Sequence, residues 1–331
     1  MISNVAFGIE SNCKIGKLIC FYQKIYNRIF FQLGLEDPTS EFYKYGKRIF
    51  DFTPFEFMKL LLTATAPDLS RRLGIVTTPK EATDFLHKVF TQTIKEREAS
   101  KIPRNDFVQL LLNIRDTVSL TNTEMAAEAF IFFTGGFETS STTLTYAMYE
   151  LALNQEIQQK LRMEIEDGLE ENDGKMTYDL LFNLKYLDCV VKETLRKYPV
   201  IPVMLRTCTK EYQIPGTKLI IPKKNVILIP IYSIHHDAEY YPSPESFDPE
   251  RFSVENSRDR HPMTFLAFGE GPRGCIGERF GMLQVKIGLV KLLTNFDISV
   301  CHKTTIPMRF KPAAPFIAPI DGMTLKIRQL N

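Results

Sequence analysis

Phe268-Gly269-Glu270-Gly271-Pro272-Arg273-Gly274-Cys275-Ile276-Gly277 is the stretch that decides the fold of this chain. It sets a single cysteine in a glycine-rich loop, with an arginine two residues ahead of it. A helix-like run, Glu278 to Leu293, follows at once. Such a loop can offer a thiolate to a metal while its backbone N–H groups hydrogen-bond the sulfur. The N-terminus of the following helix adds a partial positive charge, which suits an ionised thiol. The same residues carry a second pattern: Gly269, Gly271 and Gly274 spell G-x-G-x-x-G, with the apolar run Phe265 to Phe268 before them and Asp297 near where a ribose-binding acid would stand. Two features oppose that dinucleotide reading. Pro272 lacks the N–H that a pyrophosphate cradle would use, and Glu278 to Asn331 is too short to complete a doubly wound sheet. A third reading is a buried structural cysteine in a turn.

The chain has 331 residues, 44% of them hydrophobic, enough for a sizeable core. A net charge of +2 gives no argument for nucleic acid as a partner. The cysteines (Cys13, Cys20, Cys189, Cys208, Cys275, Cys301) are scattered and form no C-x-x-C pair. That suits a reducing compartment and argues against a disulfide framework or a zinc ribbon. There is no signal-peptide pattern and no apolar run of about 18 residues, so no membrane anchor is expected within this chain.

Met1 to Tyr198 reads mostly as helices joined by short loops. Thr121-Asn122-Thr123-Glu124 is a capping-box pattern. It opens a helix over roughly Glu124 to Leu153 that is apolar nearly all round, which places it at the centre of the fold. A further helix is predicted over Leu184 to Tyr198, stopped by Pro199. Arg206 to Ile214 and Lys218 to Ile221 read as a hairpin around Pro215-Gly216-Thr217, and Val226 to Ile231 as another strand. Tyr240 to Phe252 is a proline-rich meander. Phe296 to Val300 and Met323 to Ile327 are the last strand candidates. The fold class is mainly α with minor β, and residues 1–331 read as a single domain.

Three further motifs accompany the loop. Glu193 and Arg196 stand at i, i+3 on one helix face, and Pro249-Glu250-Arg251-Phe252 follows before the cysteine. Gly135-Gly136-Phe137-Glu138-Thr139-Ser140 puts two glycines inside the long helix, at roughly 1 kcal/mol each relative to alanine. A helix tolerates them where something must approach its backbone closely. In this order and spacing the chain resembles the cytochromes P-450, the haem-thiolate monooxygenases. Phe268, Gly271, Arg273, Cys275 and Gly277 match the fixed positions of F-x-x-G-x-R-x-C-x-G, Glu193 and Arg196 match E-x-x-R, and Gly135 to Ser140 match [AG]-G-x-[DE]-T-[TS]. Val5 to Glu10, Phe130 to Thr143 and Tyr240 to Phe252 look especially like the insect microsomal enzymes of xenobiotic metabolism.

The resemblance implies a cytochrome P-450 fold and haem b (iron protoporphyrin IX) as cofactor. It implies an enzyme that inserts one atom of O2 into a lipophilic small molecule, with electrons from NADPH-cytochrome P-450 reductase. It places the enzyme on the cytoplasmic face of the endoplasmic reticulum membrane. By the same resemblance Cys275 is the axial iron ligand, Arg206 and Arg273 hold the propionates, Phe268 shields the sulfur and Gly277 belongs to the cofactor-binding set. Glu138 and Thr139 relay protons. Glu193, Arg196 and Arg251 form a buried charge network that locks the meander, and His235-His236-Asp237 is structural. Phe130, Phe133, Thr134, Val203, Met204 and Phe316 are candidates for the substrate-pocket wall. Family chains run to about 500 residues, so the front third, with its membrane anchor and W-x-x-x-R helix, is expected to be missing. The chain has no tryptophan. The alternative readings are a non-catalytic truncated remnant with weak or no haem binding, and a dinucleotide-binding oxidoreductase.

Overall fold

The computed structural model of the protein describes residues 41–100, 106–312 and 314–330. Val5 to Glu10, Cys13 and Cys20 lie outside the described residues. The elements run α1 (Glu41–Phe50), α2 (Pro54–Thr65), α3 (Pro67–Arg72), α4 (Lys80–Ser100), α5 (Phe107–Val118), α6 (Asn122–Leu153), α7 (Gln155–Glu171), α8 (Tyr178–Asn183), α9 (Lys185–Lys197), β1 (Met204–Thr207), β2 (Tyr212–Gln213), β3 (Ile220–Ile221), β4 (Val226–Ile229), α10 (Ile231–His235), α11 (Val254–Ser257), α12 (Glu278–Leu293), β5 (Phe296–Ser299) and β6 (Lys326–Gln329). This is a mainly α fold with minor β, as the sequence predicts.

α6 organises it. Thr121 sits in the extended region and accepts the Glu124 N–H (3.2 Å), while the Glu124 carboxylate accepts the Thr121 N–H (2.8 Å). The reciprocal pair satisfies two donors that a bare helix start would leave orphaned. Downstream the helix threads two apolar clusters. Met125, Ala129, Phe133 and Phe137 pack with Leu86, Phe90 and Ile94 of α4 and with Val108 and Leu111 of α5. Leu144, Ala147, Met148 and Leu151 pack with Leu161 and Ile165 of α7, Val190 and Val191 of α9, and Leu289 and Leu293 of α12. Between the clusters lies a polar belt, Glu138 to Thr143. Its hydroxyls bond back to their own helix: Thr139 to Gly135 O (2.5 Å), Ser141 to Glu138 O (2.9 Å), Thr143 to Thr139 O (2.9 Å). Back-bonding of this kind lets small polar side chains lie buried without outside partners. The α6 joint is therefore the polar place in an apolar interior.

The expected hairpin around Pro215-Gly216-Thr217 forms, but only over Tyr212–Gln213 and Ile220–Ile221, and it nests inside a second antiparallel pair that takes up Met204–Thr207. β1 pairs with β4, Arg206 opposite Ile227, and β2 pairs with β3, Tyr212 opposite Ile221. The reason is a turn at Pro222–Asn225, where Lys224 takes a positive φ of 73° and its N–H bonds Cys208 O (2.7 Å). Proline ends β3 because it has no donor for the ladder, and the turn folds Val226–Ile229 back along β1. The last strand also shifts. Met323 and Leu325 are core residues, the Thr304 hydroxyl donates to Thr324 O (2.7 Å), and β6 begins only at Lys326 to pair with β5.

Candidate functional site

The cysteine loop is closed on itself. Cys275 N–H bonds Phe268 O (2.7 Å), Gly269 N–H bonds Leu266 O (3.0 Å) and Gly274 N–H bonds Gly271 O (2.9 Å). Gly269 and Gly271 have φ of 71° and 72°, the left-handed region that only glycine enters cheaply. A Cβ on Gly274 would lie 3.2 Å from Gly271 O. The glycines are thus explained by the turn. A 3-10 turn, Pro262–Thr264, rather than a strand, precedes the loop. Among the described residues each sheet is a two-stranded antiparallel pair. A dinucleotide fold needs a parallel sheet and a strand leading into the glycines, so that alternative is set aside. Cys275 itself carries a free, exposed thiol, and Gly277 is the N-cap of α12. A structural buried cysteine is excluded with it.

α12 holds this loop against the glycine turn of α6. Phe280 packs on Phe132 with ring centroids 5.4 Å apart, and Ser140 Oγ donates to Gln284 Oε1 (2.9 Å). On α6, Phe132, Gly135, Gly136 and Thr139 share one helix face and none is fully buried. A Cβ on Gly135 would meet nothing within 4 Å. β1 adds the third side: Arg206 Nη2 donates to Arg273 O (3.4 Å), and Met204 Cε lies 3.1 Å from where a Gly269 Cβ would be. An exposed free thiol, a helix face stripped to backbone and two arginines, with the Arg206 guanidinium on the Arg273 backbone carbonyl, fit a flat, apolar, dianionic iron macrocycle in ligand type, shape and charge. No group of three or more His, Cys, Asp or Glu side chains that could hold a metal ion occurs among the described residues.

Glu138 turns away from this face, into a cavity it shares with Phe50, Lys311 and Phe316. Burial pushes its carboxyl up from the usual 4.5 to about 7, against the opposing pull of the Lys311 charge and a hydrogen bond from Thr142. A carboxyl poised near neutrality can both give and take a proton. Thr139, one residue on, is half-buried beside the glycines, its hydroxyl donated to Gly135 O.

The charge network lies at the junction of α9 and the meander. Glu193 and Arg196 are fully buried, joined by Nε–Oε2 at 2.7 Å and Nη2–Oε1 at 2.8 Å. Arg196 also donates to His235 O (3.0 Å), Pro244 O (2.8 Å) and Ser246 O (3.2 Å). The Asp248 N–H bonds Glu193 Oε1 (2.9 Å). Arg251 Nε stands 3.5 Å from the same oxygen without a hydrogen bond, and its Nη2 donates to Ser243 O (3.0 Å). Burial raises the Glu193 carboxyl, while the Arg196 fork, the Asp248 N–H and the Arg251 charge oppose it.

The sequence marks His235 only as structural, and its specific part lies in its partners. It is fully buried, its Nε2 accepts the Leu266 N–H (2.8 Å), and its Nδ1 faces Arg196 O (3.2 Å). Because Nε2 accepts, Nδ1 carries the proton and donates. One neutral imidazole thereby ties the charge network to the segment of chain entering the cysteine loop. No local pattern signals this, since Leu266 is remote in sequence.

The pocket-wall residues divide. Phe316 lines the Glu138 cavity, Met204 reaches the cysteine loop, Phe130 is half-buried and Val203 is 43% exposed. Phe133 is fully buried, tilted against Phe42 and Phe137, and Thr134 is buried with its hydroxyl on Phe130 O (2.8 Å). Both pack inside the fold beside the apolar cluster of α4, α5 and α6.

A cytochrome P450 family model matches residues 14–327. Curated relatives agree. A probable cytochrome P450 6a13 of Drosophila melanogaster is 41% identical over 336 residues, covering 100% of this chain and 64% of the relative. Cytochrome P450 6k1 of Blattella germanica is 38% identical, covering 98% of this chain and 62% of the relative. Cytochrome P450 6A1 of Musca domestica is 36% identical, covering 100% and 63%. The fold and its cysteine loop define a haem-protein class, and the chain belongs to the cytochrome P450 family. It spans somewhat under two thirds of the length of these relatives.

Proposed function

We propose that the protein acts as a haem-thiolate monooxygenase, inserting one oxygen atom from O2 into a lipophilic small molecule with electrons from an NADPH-dependent cytochrome P450 reductase. The observation that carries the reading is the free, exposed Cys275 thiol on a loop of left-handed glycines, held by α12 against the open Gly135 turn of α6. Haem b, when bound, supplies the oxygen chemistry, with the thiolate as its electron-donating ligand. Cys275 ligates the iron, and Phe268 and Gly277 frame the sulfur. Arg206 and Arg273 neutralise the propionates. Glu138, poised near pH 7, passes protons toward Thr139, whose hydroxyl is oriented by Gly135 O. Phe130, Val203, Met204 and Phe316 offer apolar surface to substrate. The reading extends to xenobiotic substrates and a microsomal setting on the cytoplasmic face, which rest on the motif resemblance rather than on the names of the relatives. No helix of the described residues is long and apolar enough to cross a membrane.

The test is spectroscopic. The chain, expressed with haem supplied, then reduced and exposed to carbon monoxide, gives a strongly red-shifted Soret band. Cys275→Ala removes that band while leaving the far-ultraviolet circular dichroism unchanged. A folded, soluble preparation that takes up no haem sinks the enzymatic reading for this chain and leaves the non-catalytic one.

A further inference from the structure

Gln284 and Lys286 are buried polar residues in the middle of α12, a helix that otherwise buries Met282, Val285, Leu289 and Leu293. Two residues apart, they leave the helix on nearly opposite sides. On one side Gln284 Oε1 accepts the Ser140 hydroxyl of α6 at 2.9 Å. The helices cross closely there, since a Cβ on Gly281 would lie 3.9 Å from Ser140 Oγ. On the other side Lys286 Nζ stands 2.8 Å from Asp188 Oδ1 of α9 and 4.7 Å from the centre of the Phe182 ring of α8. Ser140 directly follows Thr139, where the half-open strip of α6 gives way to buried residues. Gly277 caps α12, and Cys275 stands two residues before it. The entry to the cysteine loop is tied at Leu266 by His235. Its exit, at Gly277, goes wherever α12 goes.

We propose that Gln284 is a positioning residue for Cys275: its bond to Ser140, opposed by Lys286 on Asp188, fixes how far the thiol stands from the open Gly135 face. Apolar packing grips a helix without direction. Two polar attachments at one level, on opposite sides, fix both its register and its rotation. With one of them gone, α12 turns about the other and carries the loop exit with it. Stability alone does not call for the Ser140–Gln284 pair. Exchanging a buried hydrogen-bonded pair for apolar groups of the same shape is nearly neutral or stabilising. What the pair adds is the choice of a single arrangement. Gln284 serves iron ligation only if Cys275 binds haem as proposed, whereas the fixed gap belongs to the chain with or without haem.

The experiment reads the gap without haem. Nitroxide labels are placed on Cys275 and on Gly135→Cys, in a chain whose other cysteines are alanine, and their dipolar coupling gives the distance. Nothing lies within 4 Å of a Cβ at Gly135, so the second label has room. The parent gives one narrow distance distribution. Ser140→Ala alone strands the buried Gln284 carbonyl, and the folding equilibrium constant falls about tenfold. Ser140→Ala with Gln284→Met regains the parent's denaturant midpoint, yet its distance distribution broadens. A double variant as narrow as the parent overturns the positioning role, and so does a parent that is already broad. Broadening that comes only with the stability loss of Ser140→Ala makes the pair structural and overturns it as well. In the unlabelled protein, loaded with haem, reduced and exposed to carbon monoxide, the double variant splits its Soret absorption between the red-shifted band and an unshifted one. An unsplit band beside a broadened distance removes the role toward the ligand. A parent that takes up no haem sinks the monooxygenase reading alone, and the distances still decide whether Gln284 sets the gap.

Discussion

Arg196→Met costs the protein about 3–5 kcal/mol of stability, read as a lower denaturant midpoint, because it strands a buried carboxylate. In the native protein Glu193 and Arg196 are both fully shielded from water. The guanidinium fork binds both carboxylate oxygens and three backbone carbonyls, at His235, Pro244 and Ser246. Methionine fills the space of the stem and supplies none of the donors. Glu193 then takes up a proton, and the carbonyls of the meander lose their partners at roughly 1–3 kcal/mol for each left unsatisfied. Domain stabilities are about 5–15 kcal/mol in total, so the expected preparation is poorly soluble or largely unfolded at 37 °C. Arg196→Lys keeps the charge but not the fork, and it loses most of the same stability, since an ammonium cannot span five acceptors on two sides. Arg251→Lys is the control: Arg251 contributes charge at 3.5 Å and one bond to Ser243 O, so its cost is smaller. Arg196→Lys with the midpoint of the wild type would refute the fork argument.

Local rules are enough for much of this fold. The Thr121–Glu124 box marks the start of α6, and the apolar period after Gly277 marks α12 to the residue. Both depend on neighbours within one turn. The strand region escapes such rules for the opposite reason. Arg206 to Ile214 alternates well enough for one strand, but its pairing is decided by the turn at Lys224, which sends β4 back beside β1. At the site, residue types are legible wherever chemistry restricts them: a thiol, two arginines, glycines with positive φ. Sequence does not show which side of an all-apolar helix stays open: among the neighbouring wall candidates, Phe133 and Thr134 are buried while Phe130 is half-buried. Nor does it show couplings between distant residues. His235 bonds the Leu266 N–H, and Glu138 shares a cavity with Lys311, only because the chain returns to them.

Those two buried groups pull stability in opposite directions with pH, and substituting either one uncovers the other. His235 is neutral in the fold, lowered by burial from the usual 6.5 to about 4. The unfolded chain binds its proton as pH falls through 6.5, while the folded chain does not until about 4. Stability held through His235 is thus present above 6.5 and lost on the way down to 4. Glu138 has the opposite sign. Its folded value, about 7, stands above the usual 4.5, so its contribution is fully present below 4.5 and lost as pH rises through 7. At about 1.4 kcal/mol per unit, each amounts to roughly 3 kcal/mol. Between pH 4.5 and 6.5 the slopes oppose and nearly cancel, so the wild type shows little net dependence from this pair. Glu138→Gln removes the falling slope: its stability relative to wild type grows by about 3 kcal/mol from pH 4.5 to pH 7 and then levels. His235→Gln keeps a donor and an acceptor for Arg196 O and the Leu266 N–H, and its deficit relative to wild type shrinks by a similar amount as pH falls from 6.5 to 4. Denaturant unfolding at closely spaced pH values measures both differences, and a flat Glu138→Gln difference would mean that the carboxyl does not titrate in this window and cannot be the poised proton donor beside Thr139.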